Sequence, residues 1–446
     1  MNAIAKQDTA ASIAQKLEPI VGDGICDWES LNSRWREQMA KANNTENLLS
    51  GVVYPSITQE LAHVMSHAHD NSWSVLPCGS GSKLGWGGVS KDIDLVVSTE
   101  RLNRIIEHAV GDLTVTVEAG VKFTDLQNVL TKTNQFLPLE PAYPQDATIG
   151  GIVATADSGS LRHRYGGIRD MLLGLSFVRS DGQIAKAGGR VVKNVAGYDL
   201  MKLFTGSYGT LGIITEVTLR VYPVPEASGT VVLTGEAEAI ASATKTLLAS
   251  ALSPTAVDLL STQLVSQLSR GQGIGLIVRF QSVSESVKEQ SSRLLEVGQQ
   301  LGLSGTFYTE ADEVKLWQQL PEQIWESTQP PAITCKIGVS PTAAVATLTK
   351  LDALTASSAL GLIHAGSGLG LLRLDPTVTT PQTILELRRS CQDQSGFLSV
   401  LEAPISLKQQ LDVWGYNGNA LEIMRQIKQQ FDPKNLLSPS RFVGGI

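Results

Sequence analysis

Four short stretches of this 446-residue chain carry residues whose types and spacing could do chemistry, and all four are glycine-rich. They read CGSGSKLGWGG at Cys78–Gly88, ATIGGIVATADSG at Ala147–Gly159, GSYGTLGIITE at Gly206–Glu216 and IHAGSGLGLL at Ile363–Leu372. In the first, the small residues Gly79, Ser80, Gly81 and Ser82 let backbone N–H groups converge on an anion with no side chain in the way. It is not a triphosphate loop, because Ser82 and not glycine precedes Lys83. Nor is it the GxGxxG of a strand–helix junction, because no helical pattern follows Gly88. In the second, Gly150 and Gly151 bring the backbone close to something large and flat, with hydroxyls at Thr148, Thr155 and Ser158. The third puts a close-approach strand at Ile213 and Ile214. Any one of these could be a plain turn or mere packing; three within about 140 residues, in this order, are hard to explain that way. The fourth stretch sets His364, one of six histidines, among glycines, where an imidazole is either a proton-transfer group or a structural one.

The elements that would position these stretches follow from periodicity. Residues 1–48 read as a helical preface. Residues 49–225 alternate strand and helix: GVVYPSITQELAHVMSHAHD is strand, turn and helix, with Ser56 as the expected cap and Ile57, Leu61, Val64 and Met65 as the apolar stripe. From Leu113, LTVTVEAGV alternates as a half-buried strand and FTDLQNVLTKTN is amphipathic. The prolines of YPVPE mark a boundary near Pro225. Residues 226–415 repeat one order twice, strand–helix–strand–strand–helix–strand, the βαββαβ order of a ferredoxin-like unit. Two such units side by side predict one continuous antiparallel sheet with helices on one face. Residues 416–446 hold a helix that stops at Asp432–Pro433 and a short tail. The fold class is α+β.

Composition excludes several functions. The net charge is −7, which disfavours nucleic acid as a partner. No run reaches the roughly 20 apolar residues of a membrane span, and the first residues lack the apolar core of a secretory signal. Cys26, Cys78, Cys335 and Cys391 are far apart, which predicts reduced thiols in the cytoplasm and neither a zinc site nor a self-contained iron–sulfur cluster.

The ordered set PCGSGSKLGWGG, YPQDATIGGIVATADSG, RVVKNVAGYDLMKLFTGSYGTLGIITE and IKQQFDPKNLLSPSRF resembles the vanillyl-alcohol-oxidase (PCMH-type) flavoproteins, in their glycolate oxidase and D-lactate dehydrogenase branch. The resemblance implies a two-part FAD-binding domain beneath the repeat cap, and FAD in an extended form. Gly79–Ser82, opened by Cys78, would hold the pyrophosphate. Pro144, Ala147, Thr148, Gly150, Gly151, Ala154, Thr155 and Ser158 would line the ribityl chain and ring, and Ile213 and Ile214 would meet the adenine side. Covalent attachment in such proteins uses a histidine or cysteine beside the flavin; Cys78 reads instead as a small residue leading into a loop, so the FAD is expected to be non-covalent. Where relatives often carry an acid in the last glycine loop, this chain has Tyr208.

The same resemblance gives the fourth stretch a meaning. Catalytic relatives carry H-x-G-D-G-N-x-H and, further on, S-x-E-H-G-x-G, whose histidines hold a divalent metal. Here HAGSGLGL keeps His364, Gly366 and Gly368, but Ser367, Leu369 and Leu371 replace the acid, the amide and the second histidine. In SVLEAPIS Glu402 remains, while Ala403 and Pro404 stand in place of histidine and glycine. One imidazole and one carboxylate do not make a transition-metal site, so the loop reads as the remains of one, with His364 and Glu402 the only catalytic candidates. The resemblance thus implies an FAD-binding subunit of a glycolate or related 2-hydroxy-acid dehydrogenase, most like the E subunit of glycolate oxidase. Its partners would be a catalytic flavin subunit and an iron–sulfur subunit, through which any peripheral contact with a membrane would come. The alternatives are a free-standing 2-hydroxy-acid dehydrogenase and a redox-silent scaffold.

Overall fold

The computed structural model describes residues 9–42, 51–189, 198–325 and 332–446. The stretch 190–197, within the third family-like motif, and residues 1–8 and 43–48 of the preface lie outside the described residues.

Val52–Val53, Leu95–Ser98 and Val75–Cys78 pair in parallel, and Ile25–Cys26 closes their sheet. Both faces of Leu95–Ser98 are buried, which is why it reads as an unbroken apolar run. The helix Thr58–Asn71 packs Leu61, Val64 and Met65 into this layer. Its start departs from the expected cap. Ile57 occupies the N-cap position and is exposed, and the Ser56 backbone N–H donates to the Glu60 carboxylate at 2.7 Å. That bond satisfies the Ser56 N–H ahead of the helix, and no side chain at the N-cap takes up a first-turn N–H.

A second sheet, antiparallel, runs in the order Ile105–Ala109, Thr114–Glu118, Ile213–Arg220, Leu172–Val178, Ile184–Gly188. It shares a core with the helices Phe123–Leu130 and Ile149–Thr155. The N-terminal end of the central strand Ile213–Arg220 and the start of Ile149–Thr155 thus come from one packed unit. That unit brings the second and third glycine stretches together.

The third sheet has eight strands, in the order Ser304–Thr309, Ala227–Gly235, Ile274–Ser282, Ala256–Leu260, Leu360–His364, Leu369–Leu374, Ile333–Gly338, Phe397–Glu402, all neighbours antiparallel. Each half holds four strands, and the halves meet where Ala256–Leu260 pairs with Leu360–His364. One face carries the helices Ala237–Leu248, Ser284–Gln300, Ala344–Leu354 and Pro381–Asp393 on a continuous apolar core. The other face is not left to the FAD-side domain alone. The helix Glu310–Trp325 packs Leu316, Leu320 and Ile324 onto it, with Leu264 and Val265 of Thr262–Gln267.

The C-terminal segment returns to the first domain. Leu437 bridges to Val75 beside the first sheet. The Lys428 ammonium is buried and donates to Asp432 at 2.7 Å and to the carbonyls of Thr210 at 3.0 Å and Leu437 at 2.8 Å, satisfying its charge.

Candidate functional site

The three glycine stretches meet around one cleft of about 730 Å³. Glycine is required at Gly79 because a Cβ there would lie 2.1 Å from Thr148 Oγ1; its absence lets the first loop rest on the second. Gly81 has φ +80°, a backbone that L side chains avoid. Thr148 caps the helix Ile149–Thr155, its Oγ1 accepting from Gly151 N–H at 3.3 Å. A Cβ on Gly151 would meet only that hydroxyl, at 3.1 Å, so its backbone otherwise faces open space.

Of the residues expected to hold FAD, Cys78, Gly79, Ser80, Gly81, Ser82, Thr148, Gly150, Gly151, Ala154, Thr155, Ile213 and Ile214 all line this cleft. Pro144, Ala147 and Ser158 do not. Pro144 is exposed. Ala147 is buried, its carbonyl accepting from Phe123 N–H at 2.9 Å. Ser158 lines the neighbouring cavity and accepts from Ile168 N–H at 3.1 Å. The motif reading took a contiguous stretch, whereas helix and turn send successive residues to different sides. It also missed Lys83, Ser207, Tyr208 and Arg441 on the wall. The signals for three of them were the SYG inside the third stretch, with Ser207 and Tyr208, and the SRF of the tail, with Arg441.

The wall suits a long anionic cofactor. Ser207 Oγ and Arg441 Nε are both buried there with no hydrogen-bond partner among the described residues, a state that calls for a ligand group. Arg441 is anchored by donating to the carbonyls of Lys83 and Leu84, each at 3.0 Å, which aims a fixed positive charge at the loop. Burial pushes the Cys78 thiol up to about 12, so it is no thiolate nucleophile for a covalent link.

A second cavity of about 780 Å³ lies between this domain and the eight-stranded sheet. It adjoins the cleft. Ala154 and Thr155 line the cleft while Ala156, Asp157 and Ser158 line the cavity. Between the two, Lys83 Nζ and Asp157 Oδ2 form an ion pair of 2.6 Å, with side chains 6% and 11% exposed. Trp86 and Trp325 stack at 5.3 Å along the wall.

His364 lines this cavity. Its Nδ1 is 2.6 Å from Asp258 Oδ1, and Asp258 is fully buried. A carboxylate at Nδ1 fixes the proton there and leaves Nε2 as the acceptor. Among the described residues Nε2 has no protein partner. An imidazole oriented by a buried carboxylate and open to a cavity is the arrangement of a general base, which the reading of His364 as a remnant did not anticipate. Glu402 is elsewhere. Its carboxylate accepts from Tyr143 OH at 2.8 and 2.9 Å and from Trp86 Nε1 at 3.1 Å, so it ties the sheet to the first domain. Burial, with the Glu402 charge adding to it, holds the Tyr143 hydroxyl protonated well above the usual phenol range. Among the described residues no three His, Cys, Asp or Glu side chains converge on a metal position.

Comparison with known proteins decides the cofactor. The "FAD binding domain" family matches residues 49–188, and the "FAD linked oxidases, C-terminal domain" family matches residues 413–442. The chain is an FAD-linked oxidoreductase. It is 26% identical to "Glycolate oxidase subunit GlcD" of Bacillus subtilis, over 89% of each chain. It is 27% identical to "Probable D-lactate dehydrogenase, mitochondrial" of Danio rerio, over 98% of this chain and 93% of the relative. The 4-ethylphenol oxidase from Gulosibacter chungangensis shares the fold, with a TM-score of 0.77 at 16% identity, each chain covered to 98%. This FAD-linked oxidoreductase therefore stands in the glycolate oxidase and D-lactate dehydrogenase group, and FAD is its cofactor. The residues that would hold FAD are the backbones of Gly79–Ser82 and Gly150–Gly151, with Ser207 and Arg441 supplying the unspent donors.

Proposed function

We propose that this chain itself oxidises a small 2-hydroxy acid in the cavity beside its cofactor cleft. The observation that carries this reading is the Asp258–His364 pair, 2.6 Å apart, facing a cavity that adjoins the cleft. When bound, FAD would supply the acceptor for the α-hydrogen, which leaves the substrate carbon together with both electrons of its C–H bond. His364 Nε2 takes the hydroxyl proton, and the Asp258 carboxylate stabilises the resulting imidazolium. The stacked tryptophans keep bulk water from the reacting hydroxyl, which strengthens these charge interactions. No metal is needed to position the alcohol in this scheme, because the base is oriented by the carboxylate.

The test is anaerobic mixing of the purified, flavin-loaded chain with glycolate, D-lactate and longer D-2-hydroxy acids. Bleaching of the flavin absorbance by one of them supports the reading. A spectrum that stays oxidised with every acid, in protein that dithionite reduces, would overturn it.

A second reading is favoured by the lack of a three-ligand metal group among the described residues. In it the chain is a subunit whose flavin relays electrons, with a catalytic flavin subunit and an iron–sulfur subunit as partners. It requires bleaching only when those partners are present. Among the described residues no helix is long and apolar enough to cross a membrane.

A further inference from the structure

The boundary between the cofactor cleft and the second cavity is held by one ion pair whose ammonium is not fully engaged. Lys83 lines the cleft and Asp157 lines the cavity, with Nζ and Oδ2 2.6 Å apart. The carboxylate is fixed from a second side, accepting from Ala142 N–H at 2.8 Å. The Lys83 backbone is fixed as well: its carbonyl accepts from Arg441 at 3.0 Å and from Trp86 N–H at 3.1 Å. Yet Nζ is buried and makes no directed hydrogen bond among the described residues. Charge holds it in place, and its N–H donors stay available. It lies 5.3 Å from the centre of the Trp86 ring, one of the stacked pair on the cavity wall.

Charge at this boundary is unbalanced. Lys336, on the cap strand Ile333–Gly338, lines the same cavity. Burial lowers its proton affinity, Asp157 opposes that, and Arg162 and Lys83 add to it. Arg162 has Asp170 as a counter-charge, but the two lysines share Asp157. The other carboxylates nearby are engaged elsewhere. Glu140 accepts from the N–H groups of Ser160 and Leu161, at 2.7 and 3.0 Å. Asp258 is held by His364, and Glu402 faces the Lys408 ammonium. The point where cleft meets cavity therefore carries an excess of positive charge, with little water to screen it.

One direction of FAD in the cleft suits these groups. The pyrophosphate belongs where Arg441 and the N–H groups of Gly79–Ser82 converge. The ring, the part that must meet a second reactant, belongs at the end that opens onto the cavity, and that end is the Lys83–Asp157 pair. A flavin ring that takes up two electrons and one proton gains one negative charge, which a fixed cation beside it stabilises and a carboxylate opposes. We infer that Lys83 sets the reduction potential of the bound flavin: its ammonium raises the potential, while Asp157 holds the ammonium in place and moderates its effect. The tie to Asp157, a cavity residue, argues against a pyrophosphate contact for Nζ. The inference rests on FAD as the cofactor and on no particular reductant, so it holds whether the chain oxidises a hydroxy acid or relays electrons.

The midpoint potential of the flavin-loaded protein, read by anaerobic reductive titration against dyes of known potential, tests this without any substrate. Lys83→Met should lower the equilibrium constant for two-electron reduction about a hundredfold, a fall of about 60 mV at about 30 mV per tenfold. FAD content and dissociation constant should stay within about threefold of the wild type. Lys83→Arg keeps the charge and should hold the constant within about threefold, or about 15 mV. Asp157→Asn keeps an acceptor for Ala142 N–H but removes the opposing charge, and should raise the constant about tenfold, or about 30 mV. A Lys83→Met potential within about 15 mV of the wild type overturns the inference. So does weakened FAD binding with an unchanged potential in the fraction still loaded, which would make Lys83 a contact to the cofactor's phosphates. Should Lys83→Met take up no FAD, Asp157→Asn decides: an unchanged or lowered potential overturns the inference, and a raised one upholds it.

Discussion

Asp258 and His364 stand directly opposite each other at the seam of the cap sheet, where the strand Ala256–Leu260 of one half pairs with Leu360–His364 of the other. Residues facing each other across neighbouring strands share a face of the sheet. Here that face also carries Leu260 and Leu362, which pack with the helix Glu310–Trp325, while Val257, Leu259 and Ile363 turn to the four-helix side. The duplication of the βαββαβ unit thus does more than enlarge the cap. It creates one central strand pair, and that pair sets an aspartate behind a histidine on the side of the cofactor.

If His364 is the base, His364→Ala should lower flavin reduction by the hydroxy acid about a hundredfold or more. Asp258→Asn should lower it comparably by favouring the wrong tautomer, with flavin content unchanged. His364→Ala should also cost about 3 kcal/mol of stability, because it leaves the Asp258 carboxylate buried and unpaired. Adding Asp258→Asn should restore much of that. Stopped-flow rates and urea melts on the three variants separate the roles. Turnover that is untouched while stability falls would return His364 to the structural role its surrounding motif suggested.

Gly151→Leu should yield a folded protein without flavin. The position lies in the helix Ile149–Thr155, where leucine is a better helix former than glycine by up to about 1 kcal/mol. The only near neighbour of the new Cβ is Thr148 Oγ1, at 3.1 Å, so the side chain extends into the cleft. Gly81 is a poorer test, because its φ of +80° confounds cofactor loss with backbone strain. The readouts are visible absorbance and circular dichroism, and a yellow Gly151→Leu protein would show that the ligand runs elsewhere. From the wild type, acid precipitation should release the flavin into the supernatant.

The α+β class was legible because strand and helix periods alternate cleanly, and because small residues cluster where backbones must approach. The Asp258–His364 pair was not legible. The sequence AVDLL shows an aspartate in an apolar strand, but only the pairing of the two halves joins it to a histidine 106 residues away. The helix Glu310–Trp325 escaped for a local reason: Pro321 interrupts its pattern. Without that helix the second cavity loses the wall formed by Trp317, Leu320, Pro321, Ile324 and Trp325.

Glu402 should behave as a tether and not as a catalyst. Tyr143→Phe and Glu402→Gln should each destabilise the protein, with a coupling of about 1–2 kcal/mol in a double-variant cycle. Flavin reduction should change by less than about threefold, since the carboxylate's two oxygens are taken by Tyr143 and Trp86. A hundredfold fall in rate with stability intact would place Glu402 in the chemistry.

Lys408 links the same two domains and should leave a pH signature in stability. Its ammonium donates to the carbonyls of Gly85, Gly87 and Leu401, holding the first glycine loop against the cap. Burial pushes its pKa down from 10.5 to about 7. Below that pH both folded and unfolded chains carry the proton, and the buried charge is a constant penalty. Between about pH 7 and 10.5 the unfolded chain holds a proton that the folded chain has released, so stability from this group rises with pH. Lys408→Met removes the titration. The wild-type minus variant difference in unfolding free energy should therefore grow by on the order of 2–3 kcal/mol from about pH 7 to about pH 9.5, read from urea melts at each pH. A flat difference would mean that the three carbonyls keep the amine charged, and that the loop is held by a full ammonium throughout that range.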